Sequence, residues 1–127
     1  VDMGEGRAIG AMPDDAPWQV TIPDPDAPAR ALGQVPLVNR AIATSAGAGF
    51  RFDAAGRFNH LLDPRSGASA SRYRSVTVIA PTATAADAFS TASNLMSLAE
   101  IEAVVRLRPE LEVRLVTGNN DMLTIAA

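Results

Sequence analysis

Four consecutive β-branched residues, Val76-Thr77-Val78-Ile79, run almost to a proline, Pro81, and an alanine-rich segment starts directly behind it. This junction constrains the fold more than any other stretch. SVTVIA (Ser75–Ala80) is strongly β-branched and reads as a strand in the middle of a sheet. The segment 82–109 has a different texture, rich in Ala, Leu and Met, with Ala88, Thr91, Ala92 and Leu95 recurring at helical spacing. It predicts one helix from about Ala83 to Met96 and a second from about Leu98 to Leu107, ended near Pro109.

Pro and Gly punctuate the chain ahead of this junction. PWQVTI (Pro17–Ile22) alternates around Trp18, Val20 and Ile22 and reads as a half-buried strand. PDPDAPAR follows and is expected to be loop, because three prolines in six residues interrupt a hydrogen-bonded ladder. VNRAIATS (Val38–Ser45) reads as another strand, with Ala41 and Ala43 on one face. Phe50–Phe52 and Phe58–Asp63 flank Ala54-Ala55-Gly56 as a hairpin would. At the far end, Val113–Val116 and Met122–Ile125 flank Gly118-Asn119-Asn120, a second hairpin. The expected fold class is α+β: a mixed or antiparallel sheet, two consecutive helices packed on it, and a closing β-hairpin. The 127 residues suffice for one domain, 1–127.

Composition removes several classes of function. All eleven basic residues are arginines scattered from Arg7 to Arg114, and the net charge is −3, so no basic footprint for nucleic acid exists. The absence of Lys removes Schiff-base chemistry, and the absence of Cys removes disulfides, thiolate nucleophiles and Cys-ligated zinc. No apolar run approaches the length of a membrane span.

Three clusters carry groups capable of chemistry. The first holds the only histidine, His60, in NHLLDPRSG (Asn59–Gly67). Asp63-Pro64 followed by Ser66-Gly67 forms a good turn in its own right, so a packed, hydrogen-bonded His60 competes with a general base or ligand-binding group. The second is Asp87 and Thr91, whose i,i+4 spacing puts them on one helix face. They are hard oxygen donors suited to Mg²⁺ or Ca²⁺. The structural alternative is a capping box with Thr84 as N-cap and Asp87 reaching back to it. The third is Thr44-Ser45-Ala46-Gly47-Ala48-Gly49, either a backbone cradle for phosphate or a flexible loop.

In this order and spacing, GEGRAIG, PWQVTIPDP, AIATS, RFNHLLDPRSG, SVTVIAPTATAADAFSTA and VRLVTGNNDML resemble the C-terminal part of the ApbE family, the FAD:protein FMN transferases. The resemblance implies that His60 lies at the flavin-nucleotide site and takes part in catalysis. It implies that the backbone around Leu61 and Leu62, with Asp63, shapes the same wall. It implies that Asp87 and Thr91 ligate Mg²⁺, reversing the preference for a cap, and that Thr44 and Ser45 line the nucleotide site. The implied reaction moves FMN from FAD onto a threonine hydroxyl of a target protein and releases AMP.

The chain departs from the family pattern at Ala46, where Gly is usual, at Asn59, where some members carry a second His, and at Ser66, where the motif has Thr. It reads as the C-terminal portion of a longer protein whose upstream half contributes further contacts to FAD and the metal. Association with that half, or self-association, is therefore expected. The alternative is a module that holds flavin nucleotide without transferring it. The resemblance also implies a parent protein in the periplasm or on the outer face of the bacterial inner membrane.

Overall fold

The computed structural model describes residues 5–127. Its centre is a five-stranded antiparallel sheet. The strands are β1 (Glu5–Arg7), β4 (Ala41–Ser45), β5 (Ser75–Ala80), β6 (Glu112–Val116) and β7 (Met122–Ile125), in the spatial order β1-β4-β5-β6-β7. A separate two-stranded ribbon, β2 (Trp18–Asp24) and β3 (Ala27–Leu37), packs on one face. Helices α1 (Ala83–Ser93) and α2 (Leu98–Leu107) pack on the other. The fold is α+β, as expected.

β5 is central and all six of its residues are buried. Its pleat explains why. Val76, Val78 and Ala80 enter the helix-side core with Ala41, Ala43, Ile101 and Leu115. Ile79 points the other way, into the ribbon-side core with Ile22, Val35, Leu37 and Ile42. A strand covered on both faces has no position for a charged residue, which is what SVTVIA lacks. Burying one such Val or Ile side chain contributes about 1.5–3 kcal/mol.

The ribbon corrects the loop expected over PDPDAPAR. Pro23 lies in β2, Pro28 and Pro36 lie in the eleven-residue β3, and the turn between them is short. Each strand of a two-stranded ribbon has a free edge, so a proline's missing N–H need not interrupt the pairing. The register does slip on either side of Pro23. The strand expected from Val38 begins only at Ala41. Asn39 adopts a left-handed conformation (φ 53°), and its Oδ1 accepts a bond from Gly10 N at 2.8 Å.

The hairpin expected between Phe50 and Asp63 shrinks to a bridged loop. Arg51 pairs with Asn59, Leu62 pairs with Ser69, and no regular strand forms. A short 3₁₀ turn, Gly47–Gly49, precedes it. α1 stops at Ser93, short of Met96, and its cap is Thr82, whose Oγ1 accepts from Ala85 N. The capping box lies instead at α2, between Ser97 and Glu100.

Candidate functional site

The C-terminal end of β4 meets α1 through hydroxyl groups. Ser45 Oγ lies 2.8 Å from Ser90 Oγ and 3.2 Å from Thr91 Oγ1. Ser90 donates to the Asp87 carbonyl oxygen at 2.9 Å. Each hydroxyl has one proton, so the direction of the chain follows by counting. Ser90's proton is committed to Asp87 O, so Ser45 donates to Ser90, and Thr91 donates to Ser45. Thr91 is left with oxygen lone pairs and no proton to offer elsewhere.

Asp87 and Thr91 sit on the exposed side of α1. Among the described residues, no hydrogen bond or ion pair engages the Asp87 carboxylate. The capping alternative therefore fails: Thr82 is the N-cap, so Ala85 takes the N3 position of a capping box and Asp87 lies two residues beyond it. An unpartnered carboxylate beside a hydroxyl with free lone pairs is a donor set that fits a hard divalent cation. No group of three or more His, Asp or Glu gathers among the described residues. These two residues would supply only part of a Mg²⁺ shell, which commonly includes waters and substrate phosphates.

Buried Asn94 supports this arrangement. Its Nδ2 donates to Ser90 O at 2.9 Å and to Ser45 O at 3.2 Å, joining helix to strand. The buried stripe of α1 is Ala86, Ser90 and Ser93, with Asn94 just beyond it. The spacing through Ala88 and Thr91 marks an outer face, since both are exposed. Small inward residues let the helix lie close to the sheet, and that closeness brings the hydroxyls within bonding distance.

His60 occupies the bridged loop. Its Nδ1 is 3.3 Å from Phe50 O. A carbonyl only accepts, so Nδ1 carries the proton in this bond and Nε2 presents a lone pair. Asn59, buried next to it, holds the loop in shape: Nδ2 donates to Ala70 O at 2.8 Å and Oδ1 accepts from Leu61 N at 3.0 Å. The Gly47–Gly49 turn that leaves Ser45 passes against this pair. A Cβ on Gly47 would fall 2.8 Å from Asn59 Nδ2, and one on Gly49 would fall 3.6 Å from His60 Cε1. The hydroxyl seam and the histidine loop are thus joined by one short turn, and no hydrogen bond links His60 directly to Ser45, Asp87 or Thr91.

The remaining predicted residues are placed differently from one another. Leu62 is exposed beside His60. Asp63 is engaged within its own turn: Arg65 Nε and Nη2 donate to its two oxygens at 3.0 and 2.9 Å. That guanidinium, with the Arg65 backbone N–H, holds the Asp63 carboxyl below the usual range. Gly67 closes the turn at φ 71°, donating to Asp63 O at 2.7 Å. Thr44 points away from Ser45, as neighbours on a strand must. It bonds Thr77 at 2.8 Å and lines a cleft of about 730 Å³ between the ribbon and the β1–β4 edge, with Arg7, Trp18 and Ile42. Sequence reasoning missed Ser90 and Asn94. Their signal was polarity at i+3 and i+7 from Asp87.

The α+β fold that carries this seam and the histidine loop is shared with flavin transferases of known structure. The chain belongs to the ApbE family, whose pattern it matches over residues 1–115. The crystal structure of the ApbE protein of Thermotoga maritima is 32% identical, with a TM-score of 0.82 over 96% of this chain and 40% of that one. The flavin transferase ApbE of Vibrio cholerae is 28% identical, with a TM-score of 0.73 over 98% of this chain and 40% of that one. The flavinyl transferase ApbE of Pseudomonas stutzeri, in its apo form, is 28% identical, with a TM-score of 0.70 over 98% of this chain and 39% of that one. The chain therefore spans about two-fifths of the length of these relatives. No curated protein sequence matches it.

Proposed function

We propose that this chain forms the C-terminal part of an enzyme that transfers FMN from FAD to a threonine of a target protein, releasing AMP. Family membership supports the class of reaction. The observation that carries the site is the meeting of Ser45, Ser90 and Thr91 beside an unengaged Asp87.

In this reading the acceptor threonine oxygen attacks the phosphorus on the FMN side of the pyrophosphate. The new O–P bond forms as the bond to the bridging oxygen breaks, and AMP leaves with that oxygen. Nε2 of His60 takes the hydroxyl proton, because Nδ1–H is turned to Phe50 O. The fixed tautomer is the contribution of the loop, and Asn59 maintains it by holding the backbone on either side. Asp87 and Thr91 would hold Mg²⁺, which when bound neutralises phosphate charge. The seam from Thr91 to Asp87 O keeps the Thr91 lone pairs directed outward whether or not ligand is present. Arg65 stays with Asp63 and shapes the turn behind His60.

The test is a titration with FAD followed by flavin fluorescence, with and without Mg²⁺, and then a transfer assay on a threonine-bearing acceptor, read by mass. Metal-enhanced binding and a covalent FMN adduct are expected. Saturable FAD binding with no adduct would make this part of the protein a flavin-nucleotide-binding module. Failure to bind FAD in a chain extended to the length of its relatives would sink the reading.

A further inference from the structure

A buried polar side chain that is only half satisfied calls for a reason. Asn94 is 0% exposed, and its Oδ1 has no hydrogen-bond partner among the described residues. Burying that oxygen costs free energy that a leucine, similar in branching and apolar throughout, would not incur. Its other polar atom holds two carbonyl oxygens from different elements at once, Ser90 O on α1 and Ser45 O at the end of β4. These are the residues whose hydroxyls also meet, at 2.8 Å. Asn94 therefore ties the same two positions by their backbones that the seam ties by their side chains.

We infer that Asn94 is a positioning residue that sets the spacing between the end of β4 and α1, and through it the place of the Thr91 oxygen beside Ser45. The inference rests on reading Asp87 and Thr91 as a cation-binding pair. The amide is suited to the task. Two N–H bonds diverging from one nitrogen fix both a distance and an angle, whereas a packed leucine fixes neither. Polar contacts of this kind around a metal ligand set where the ligand points more than whether the protein folds. The backbone N–H of Asn94 closes the last turn of α1 on Thr91 O and Ala92 O, so the strut is anchored directly behind the ligand residue.

The experiment compares the wild-type chain with Asn94→Leu and Asn94→Ser, using crystal structures, thermal denaturation and Mn²⁺ binding by water-proton relaxation. Asn94→Leu is expected to keep the fold with a melting temperature near or modestly below wild type, because Ser45 O and Ser90 O lose a donor while the orphaned Oδ1 is removed. Its Ser45–Thr91 contact opens, and its Mn²⁺ affinity falls about tenfold. Asn94→Ser, which adds no bulk, is expected to open the same contact. A Ser45–Thr91 contact preserved in either variant overturns the inference. So does failure of both variants to fold, which would make Asn94 a folding residue. If a wild-type chain extended to the length of its relatives takes up no Mn²⁺ in the presence of FAD, the cation reading fails separately, and the two crystal structures still decide whether Asn94 sets the spacing.

Discussion

Ser45 at the end of β4 and Ser90 on α1 place their hydroxyl oxygens 2.8 Å apart, and this contact joins the sheet to the helix that carries Asp87 and Thr91. Ser90 is fully buried, accepts from Ser45 and donates to Asp87 O. Ser90→Ala should therefore remove two bonds and reverse or free the Ser45 proton. The expected loss is about 1–2 kcal/mol of stability by urea denaturation. A second effect follows from proton counting. Without Ser90 as acceptor, Ser45 can donate to Thr91 and draw on its lone pairs, so Mn²⁺ binding should weaken as well. A loss of stability with unchanged Mn²⁺ affinity would show that the direction of the chain is irrelevant to the cation.

Asp87 and Thr82 separate binding from capping. Thr82, not Thr84, accepts from the first turn of α1, and Asp87 is exposed without a partner among the described residues. Thr82→Ala should lower stability by about 1 kcal/mol and leave Mg²⁺-enhanced FAD binding unchanged. Asp87→Ala should do the reverse, changing stability by less than about 0.5 kcal/mol while abolishing the Mg²⁺ enhancement. Thermal denaturation and flavin fluorescence on the two variants check the pair. A destabilised Asp87→Ala that still responds to Mg²⁺ would return Asp87 to a structural role.

The parts of the fold that were legible in the sequence are those fixed by local chemistry. SVTVIA announced a central strand, the limits of α2 fell where Leu98 and Pro109 suggested, and Gly118-Asn119-Asn120 turned the last hairpin. The ribbon was not legible, because a proline stops a central strand but not a strand with a free edge, and only the tertiary arrangement shows which applies to Pro23 and Pro28. β1 is three residues long and pairs only with β4, too short to leave a periodic signal. Asp87 and Thr91 were visible as a pair because their spacing is helical. Asn94 was not, since its role depends on a carbonyl 49 residues earlier in the chain.

The tip of the ribbon is held by charge. Asp26 receives Arg51 at 2.7 Å and is also bonded by Arg74, which reaches buried Asp24 at 3.1 Å. Arg51 belongs to the bridge with Asn59, so this network ties the ribbon to the histidine loop. Arg74, ahead of Arg51, holds the Asp26 carboxyl below its ordinary 3.8. A carboxyl lowered in the folded state contributes stability above its unfolded pKa and loses it as pH falls through the folded value. Asp26→Asn should therefore cost up to about 1 kcal/mol at pH 7, since the pair is partly exposed. The difference from wild type should vanish below the folded pKa and shrink at high salt. Urea denaturation at neutral pH and near pH 3 checks this, and an equal penalty at both would show that packing, not charge, was lost.

His60 and Asn59 are adjacent yet should fail in different ways. His60 is exposed, and its ring makes one bond, to Phe50 O. His60→Ala should leave stability within about 0.5 kcal/mol of wild type and FAD affinity nearly unchanged, while lowering transfer by a factor of 10²–10⁴, the span typical of a positioned base. Asn59 is buried, and its side chain satisfies Ala70 O and Leu61 N. Asn59→Ala should cost about 2 kcal/mol, because both backbone groups lose their partner at a buried site. It should also speed hydrogen exchange at the Leu61 amide. Transfer should fall in this variant too, but recover in part on cooling or with saturating FAD, since the imidazole is present and only its placement is loosened. Full activity in His60→Ala would remove the imidazole from the mechanism, whereas full activity in Asn59→Ala would show that the loop need not be held for Nε2 to do its work.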